Sequence, residues 1–234
     1  MQHQRSPPFM NTSSLETLLP TAHFKLGSTS ASVKARFWDK IAQRYATDPI
    51  ADMVGYNRTL ERTRPWLQPT QQVLEIGCGT GSTALHLAPA VASYVGTDVS
   101  ENMVAIARAK LALHPKTGLY FQSADADTPL VCVTSTGTYD VVLAFNVLHL
   151  VHKLEDTLAQ CVRVLAPGGL LISKTPCLSE MNPLISWLAV PLMRAIGKAP
   201  AVLTLGQHDL TAALKRQGLE IVAIERHAGK GRDV

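Results

Sequence analysis

The stretch that most constrains the fold is Val73–Gly81, in which an apolar run ends in a carboxylate and then in alternating glycines. The apolar run predicts a buried strand. Without Cβ atoms, Gly77, Gly79 and Gly81 can take positive φ angles and let a ligand approach the backbone, while the following helix presents free N–H groups. The stretch therefore predicts a strand, a tight turn and a helix around a bound cofactor.

The spacing of the glycines separates this site from a dinucleotide site, where G-x-G-x-x-G places a pyrophosphate on the helix N-terminus. Here the spacing is G-x-G-x-G, and Glu75 lies just before the first glycine. A carboxylate there repels a pyrophosphate but can hold an ammonium group, directly or through water. Asp98 ends the next apolar run about 20 residues after the first glycine, as expected for a group that binds ribose hydroxyls. Together the two acids indicate a nucleoside that carries an amino acid.

Val73–Gly81 resembles, at every position, the first motif of the class I S-adenosylmethionine-dependent methyltransferases. Later in the chain, Tyr139–Ala144 is similar to the fourth strand of that family and Leu165–Gly169 to the turn before its fifth strand. The resemblance covers roughly residues 33–226 and implies S-adenosylmethionine as the cofactor, with S-adenosylhomocysteine as the product. It implies that the cofactor-binding residues are Glu75, Gly77, Cys78, Gly79, Gly81, Asp98, Met103, Asp125 and Asn146.

The resemblance also implies individual roles for three of these residues. Asp98 would hold the ribose, Met103 would pack on the adenine, and Asp125 would accept a hydrogen bond from the adenine amino group. Each acid taken alone is more typical of a solvated loop or a helix cap, and the set of motifs together favours the cofactor site. Met103 begins an apolar series at helical spacing, so packing in the core is an equal alternative for it.

His149 is the candidate general base, because the resemblance implies a histidine near the acceptor after the fourth strand and the ordinary pKa of histidine suits neutral pH. The alternative is a structural histidine. Tyr45 and Trp187 are predicted on the substrate side, and no metal site is predicted. The exit of the fourth strand lacks the Asn/Asp-Pro-Pro-Tyr/Phe sequence of amino-methylating DNA enzymes, which disfavours a nucleobase acceptor.

Alternating apolar strands and amphipathic helices predict an α/β fold with a doubly wound, mostly parallel sheet and helices on both faces, the Rossmann-like methyltransferase fold. The carboxyl ends of the parallel strands are then expected to share one rim. The family normally adds a final antiparallel strand, which is expected to be missing here, so the sixth strand is expected to have an open edge. The predicted strands are 71–76, 92–97, 119–122, 139–144, 170–174 and 219–224.

Residues 1–32, rich in Ser, Thr, Pro and Gln, predict a flexible N-terminal tail without a secretory signal. The methyltransferase domain is predicted over 33–234, with a helical cap over 33–67 and an apolar lid or interface segment over 180–206. Within that segment, residues 184–196 are apolar nearly all round but too short to span a bilayer. They predict either a buried or dimer-interface helix or a lid over the acceptor.

Composition limits the partners of the chain. In 234 residues with a net charge of +4, lysine and arginine are scattered, so no nucleic-acid-binding surface is predicted. The four cysteines lack C-x-x-C spacing and are typical of free thiols in a reducing compartment, which predicts a cytoplasmic protein. A homodimer through the 184–196 helix or the open sheet edge is a further hypothesis.

These observations predict transfer of a methyl group from S-adenosylmethionine to a small, fairly apolar acceptor, most favourably at oxygen. Such a displacement depends mainly on alignment of the reacting groups. One alternative is a catalytically silent binding or scaffold protein that keeps the cofactor fold. Another is a protein or tRNA methyltransferase, which the scattered basic residues disfavour.

Overall fold

The computed structural model describes residues 29–134, 136–180 and 202–226, and of residues 29–32 only the backbone. Strands and helices alternate along the chain after two N-terminal helices. The helices are α1 (Thr29–Thr47), α2 (Met53–Thr63), α3 (Ser82–Leu87), α4 (Glu101–Leu113), α5 (Leu154–Val164) and α6 (Gln207–Arg216). The strands are β1 (Gln72–Ile76), β2 (Ser93–Asp98), β3 (Leu119–Ser123), β4 (Tyr139–Phe145) and β5 (Leu165–Lys174).

The strands form a parallel sheet in the order β3-β2-β1-β4-β5. The chain winds outward from β1 in both directions, first through β2 and β3 and then through β4 and β5. This arrangement confirms the predicted doubly wound, Rossmann-like fold. A crevice opens where the winding changes direction, beyond the carboxyl end of β1, and this is the position where such folds bind ligands.

Side chains on both faces of the sheet are buried, as expected for a parallel sheet covered by helices. Val73 and Leu74 point to opposite faces of β1 and are 0% and 1% exposed. Val73 belongs to one apolar cluster with Leu87 and Phe121, and Leu74 belongs to a second cluster that includes Leu158. The two clusters fix the strands between the helical layers, so the loops at the carboxyl ends are held on a rigid base.

β5 begins directly after α5 and is longer than the predicted strand. Leu165 pairs with Tyr139, the register then shifts, and Leu170 pairs with Val141. The predicted turn at Leu165–Gly169 is therefore an irregularity within the strand, where Gly168 has a φ of +75°. The irregularity lets the chain enter the sheet without a separate loop.

The predicted sixth strand over residues 219–224 is wrong. The described residues after α6 make no strand pairing, and Val222 and Ile224 are 67% and 52% exposed. Glu225 forms an ion pair with Arg62 of α2. The alternating apolar residues are typical of a strand, but the pattern contains no information on whether a neighbouring strand is present to form hydrogen bonds with it. Within the described residues the sheet ends at β5, and the segment predicted over residues 184–196 lies outside them.

α1 lies across α4 and begins inside the stretch that was predicted as a flexible tail. The Asp39 side chain accepts hydrogen bonds from Ser100 Oγ at 2.6 Å and from the backbone N–H of Asn102 at 3.1 Å. Ser100 is the N-cap of α4, since its hydroxyl accepts a hydrogen bond from the Met103 N–H at 3.1 Å. In the part of the chain that the structure describes, no helix is long and apolar enough to cross a bilayer.

Candidate functional site

A cavity of about 680 Å³ opens at the carboxyl ends of the strands, a volume typical of a small-molecule site. Many of the residues predicted to contact a ligand line it together. They are Tyr45, Glu75, Gly77, Cys78, Gly79, Asp98, Met103, Asp125 and Asn146. Gly81 and His149 are not among the lining residues, and Trp187 lies outside the described part of the chain.

The cavity has two halves, which follow from the sheet order. We name the part lined by Glu75, Gly77–Gly79, Asp98, Met103 and Asp125, after β1, β2 and β3, the cofactor half. The acceptor half is lined from α2, β4 and β5 by Asp52, Tyr56, Thr59, Phe145 and Lys174. The crevice beyond β1 joins the two halves, so a ligand in one half reaches a ligand in the other.

The glycine turn after β1 gives the cofactor half its open backbone. Gly77, Gly79 and Gly81 have φ angles of +67°, +54° and +75°, a region that other residues rarely adopt. An added Cβ at Gly79 would approach only the Tyr45 ring, at 3.9 Å, among the described residues, so a ligand can come close to this backbone. At Gly81 a Cβ would lie 2.7 Å from Phe121 and 2.8 Å from Ala107. Gly81 thus permits helix packing beneath the site, and its predicted contact with the cofactor stays a prediction.

Glu75 is almost fully buried at the base of the cavity, with 2% of its surface exposed. The Tyr94 hydroxyl donates a hydrogen bond to its Oε2 at 2.8 Å. Burial raises the pKa of Glu75 to about 7, against the lowering effect of Tyr94, and the nearby charge of Asp98 raises it further. A cation bound in the cavity would favour the ionised form of Glu75.

Asp98 is held at the end of β2 by the backbone. Its Oδ2 accepts from the Gly79 N–H and its Oδ1 from the Ser100 N–H, each at 2.9 Å. Burial raises the pKa of Asp98, although both backbone hydrogen bonds and Lys34 lower it. Each carboxylate oxygen can accept more than one hydrogen bond, so both remain available to the hydroxyls of a ribose.

Asp125 presents one buried oxygen to the cofactor half. Its Oδ1 receives Lys34 Nζ at 2.5 Å and the Asp127 N–H at 3.1 Å, whereas its Oδ2 has no hydrogen-bond partner among the described residues. An unsatisfied buried acceptor is costly, and an amino group such as that of adenine would satisfy it. This atom shows that the residues present fit the nucleoside that the sequence predicts.

Three further predicted residues contribute shape to the cofactor half. Met103 is 2% exposed and also lines the cavity, so it serves core packing and stays available to a flat ring. Burial and the charges of Glu75 and Asp98 raise the pKa of the Cys78 thiol well above its ordinary value, which keeps it neutral. Asn146 has a φ of +54°, the only positive φ outside glycine in the described residues, and this turn carries the chain out of β4 toward the cavity.

His149 lies behind the cavity wall formed by its neighbours Val147 and Leu150. Its Nδ1 is buried without a hydrogen-bond partner among the described residues, and burial lowers the pKa of the imidazole to about 4. The side chain is therefore neutral at pH 7 and a weak base. Tyr45, predicted on the substrate side, is 55% exposed and lies over the Gly79 turn of the cofactor half. It forms an edge-to-face contact with Trp38, with ring centroids 6.4 Å apart, and its role toward a substrate stays a prediction.

Lysines of the cavity were not found from the sequence. Lys34 of α1 joins Asp125 to Asp127, with Nζ 2.5 Å from a carboxylate oxygen of each. Lys110 of α4 donates to the hydroxyls of Thr80 and Ser82. Lys174 ends β5 and reaches α2. A signal for Lys174 was present, since it ends a strand of the rim in the same way as Asp98, but no motif marked it.

The comparisons with known proteins agree with this geometry. Residues 74–171 match a family model described as a methyltransferase domain. The chain is 34% identical over 109 residues to polyketide synthase 19 of Gibberella fujikuroi, across 44% of this chain and 4% of that protein. It is 31% identical over 163 residues to the squalestatin tetraketide synthase of a Phoma species, across 65% of this chain and 6% of that synthase. The chain thus spans only a small part of the curated relatives it matches.

Among solved structures, the fold is similar to that of magnesium protoporphyrin IX methyltransferase from Synechocystis with bound S-adenosylhomocysteine. The TM-score is 0.63 and the identity 19%, over 86% of this chain and 95% of that one. At this identity the likeness supports the fold alone. The match to the family model is the finding that connects the cavity to a type of chemistry.

Proposed function

Because the chain carries a methyltransferase domain of the class I S-adenosylmethionine-dependent family, we propose that it methylates a small, largely apolar acceptor at an oxygen atom. S-adenosylmethionine is the cofactor of this domain, and it supplies a methyl group on a positively charged sulfur with a good leaving group. The observation that carries the proposal is one continuous cavity that joins a half suited to this cofactor with a half open to a second molecule.

The residues of the cofactor half bind and orient in this proposal. Asp125 Oδ2 accepts a hydrogen bond from the adenine amino group, Asp98 holds the ribose hydroxyls, and Met103 packs against the base. Glu75 supplies a negative charge for the cationic amino-acid part. None of these side chains has to exchange a proton, because in-line displacement depends mainly on alignment. The aligned geometry is worth about 7–11 kcal/mol of the barrier in well-oriented reactions.

The acceptor half favours a small acceptor with an apolar body. The rings of Phe145 and Tyr56 line it. The polyketide synthases among the relatives support an acceptor of the polyketide type, in which carbonyl and enol groups alternate along a carbon chain. They also favour a second candidate function, methylation at the carbon between two carbonyl groups. Both reactions begin from the same enol, so the product separates them.

His149 remains the proposed general base, and its surroundings define how to test it. With a pKa of about 4 its imidazole is free to accept a proton at neutral pH, but with little driving force. Replacement by glutamine, His149→Gln, lowers kcat about 10²–10⁴-fold if the residue removes the acceptor proton. A change of less than about tenfold would instead assign proton loss to solvent.

The test of the proposed function is incubation with ¹³C-methyl S-adenosylmethionine and a panel of phenols, enols and 1,3-diketones. We expect a labelled product whose ¹³C shift assigns the methyl group to oxygen or to carbon. Asp125→Asn serves as the variant on the cofactor side, since it weakens the adenine contact while Lys34 keeps its second carboxylate partner, Asp127. Failure of the folded protein to bind S-adenosylhomocysteine in calorimetry would reject the proposal, and cofactor binding without turnover of any acceptor would favour a scaffold protein.

A further inference from the structure

In the acceptor half lies a lysine, Lys174, that has no carboxylate partner in the part of the chain that the structure describes. Lys174 Nζ donates to the Gly55 carbonyl at 3.3 Å and to Thr59 Oγ1 at 3.0 Å. Of the ion pairs formed within the described residues, none includes Lys174. Within the described residues, its ammonium group therefore lies at the cavity wall and donates hydrogen bonds to neutral groups. Since an ammonium group has three N–H donors, one remains for a ligand.

The other lysines of the cavity differ in place or in partner. Lys34 is neutralised by Asp125 and Asp127, so its charge is already used in holding α1. Lys110 lies against Thr80 and Ser82 at the glycine turn, in the cofactor half. Lys174 is thus the lysine whose charge faces the acceptor half.

The acidic side chain with the strongest effect on Lys174 is committed elsewhere. Asp52 is the N-cap of α2, and its Oδ1 accepts from the Gly55 N–H at 2.9 Å. Burial lowers the pKa of Lys174, and the charge of Asp52 partly opposes this effect. A structural link between β5 and α2 needs only neutral hydrogen bonds, which cost less to bury than a charge. A bound anion would neutralise the positive charge of Lys174 and offset the cost of burying it.

We propose that Lys174 determines acceptor specificity by binding a delocalised oxyanion, the ionised enol of a 1,3-dicarbonyl compound or a phenolate, next to the reacting atom. This inference rests on the proposed function and narrows its acceptor to compounds that lose a proton readily. Lys174 holds the oxygen of the anion, and the apolar rings of the acceptor half hold its carbon skeleton. An acceptor that is already ionised in solution has lost its proton to water before it binds, so proton removal by His149 is needed only for an acceptor that binds in its protonated form.

The test uses two ring compounds that differ in charge. 4-Hydroxy-6-methyl-2-pyrone is an acidic enol that is ionised near neutral pH, and 4-methoxy-6-methyl-2-pyrone is its neutral ether. Each is titrated calorimetrically into the protein saturated with S-adenosylhomocysteine, so that no turnover occurs. We compare the wild type with Lys174→Met, Lys174→Gln and Lys174→Arg, and with Lys40→Met, which removes an exposed lysine of α1 and controls for net charge.

We expect both neutral variants of Lys174 to weaken binding of the ionised pyrone by about 10–100-fold, the range of one charge-assisted hydrogen bond. Lys174→Arg retains most of the affinity, Lys40→Met retains all of it, and the neutral ether binds every folded variant alike. Absence of pyrone binding to the wild-type complex would overturn the inference. So would equal pyrone affinity in Lys174→Gln and wild type, or an equal loss for both pyrones, which assigns Lys174 a structural role. Loss of S-adenosylhomocysteine binding by the wild type would instead reject the proposed function.

Discussion

Replacing Glu75 by glutamine changes how the stability of the protein depends on pH, and the structure gives the size of that change. The pKa of Glu75 is about 7 in the folded protein and close to the ordinary value of 4.5 in the unfolded chain. The folded state therefore holds the proton more tightly. The stability that this proton provides is fully present below pH 4.5 and is lost as the pH rises through 7. A difference of about 2.5 pKa units corresponds to about 3 kcal/mol.

Glu75→Gln removes this ionisation and keeps a side chain of the same shape, so the variant is expected to lose the corresponding pH dependence. Urea unfolding at pH 5, 6, 7 and 8 gives the free energy of unfolding of both proteins without ligand. Between pH 5 and pH 8 we expect the wild type to lose about 2–3 kcal/mol relative to the variant. Glu101→Gln removes an exposed carboxylate and controls for net charge. Parallel curves for wild type and Glu75→Gln would refute the reasoning, because Glu75 would then not be held protonated by burial.

Three further predictions concern the walls of the cavity. At Gly218 an added Cβ meets no described atom within 4 Å, so Gly218→Ala has only the cost of a φ of +78° and is expected to lower the free energy of unfolding by about 1–2 kcal/mol. Gly77→Ala also places a Cβ 2.5 Å from Val147, so we expect it to lower the free energy of unfolding, measured in urea, by about 1–3 kcal/mol more. Equal losses would contradict the packing argument. Lys34→Met leaves Asp125 and Asp127 without their shared cation. We expect this variant to be less stable than Lys40→Met by about 2 kcal/mol or more. Equal stability of the two variants would contradict a stabilising role of the Lys34 ion pairs. The neutral Cys78 thiol should react with iodoacetamide at pH 8 more slowly than Cys132, as measured by mass spectrometry. Bound S-adenosylhomocysteine should slow the reaction of Cys78 further. Rapid alkylation of Cys78 would be inconsistent with its buried surroundings.

The position of the acids and glycines of the cofactor half at one rim could be predicted because they lie at or just after the ends of strands. Glu75 and Asp98 follow continuous apolar runs, and parallel strands bring their carboxyl ends to the same rim. Continuous apolar runs along the sequence therefore carried information about which residues lie close together in three dimensions. The doubly wound arrangement followed from the alternation of strands and helices along the chain.

The acceptor half could not be predicted in the same way, since it depends on how helices lie across the sheet. Lys174 reaches Thr59 across the space between β5 and α2, and neither residue belongs to a recognisable spacing. His149 was chosen from its position after β4, but the backbone turn at Asn146 decides where its ring lies. The wrong sixth strand has a related cause. Alternating apolar residues are a property of one segment, whereas a β-strand also needs a neighbouring strand with which to pair.

The shared carboxylate of Asp125 couples the first helix to the nucleoside site. Lys34 occupies one oxygen of this group, and the adenine amino group is proposed to occupy the other. By thermodynamic reciprocity, a ligand that fixes the carboxylate also strengthens the attachment of α1, and a helix that detaches weakens the ligand to the same degree. Backbone amides near the start of α1 should therefore exchange with deuterium more slowly in the liganded protein, and proteolytic removal of that helix should speed the release of the nucleoside.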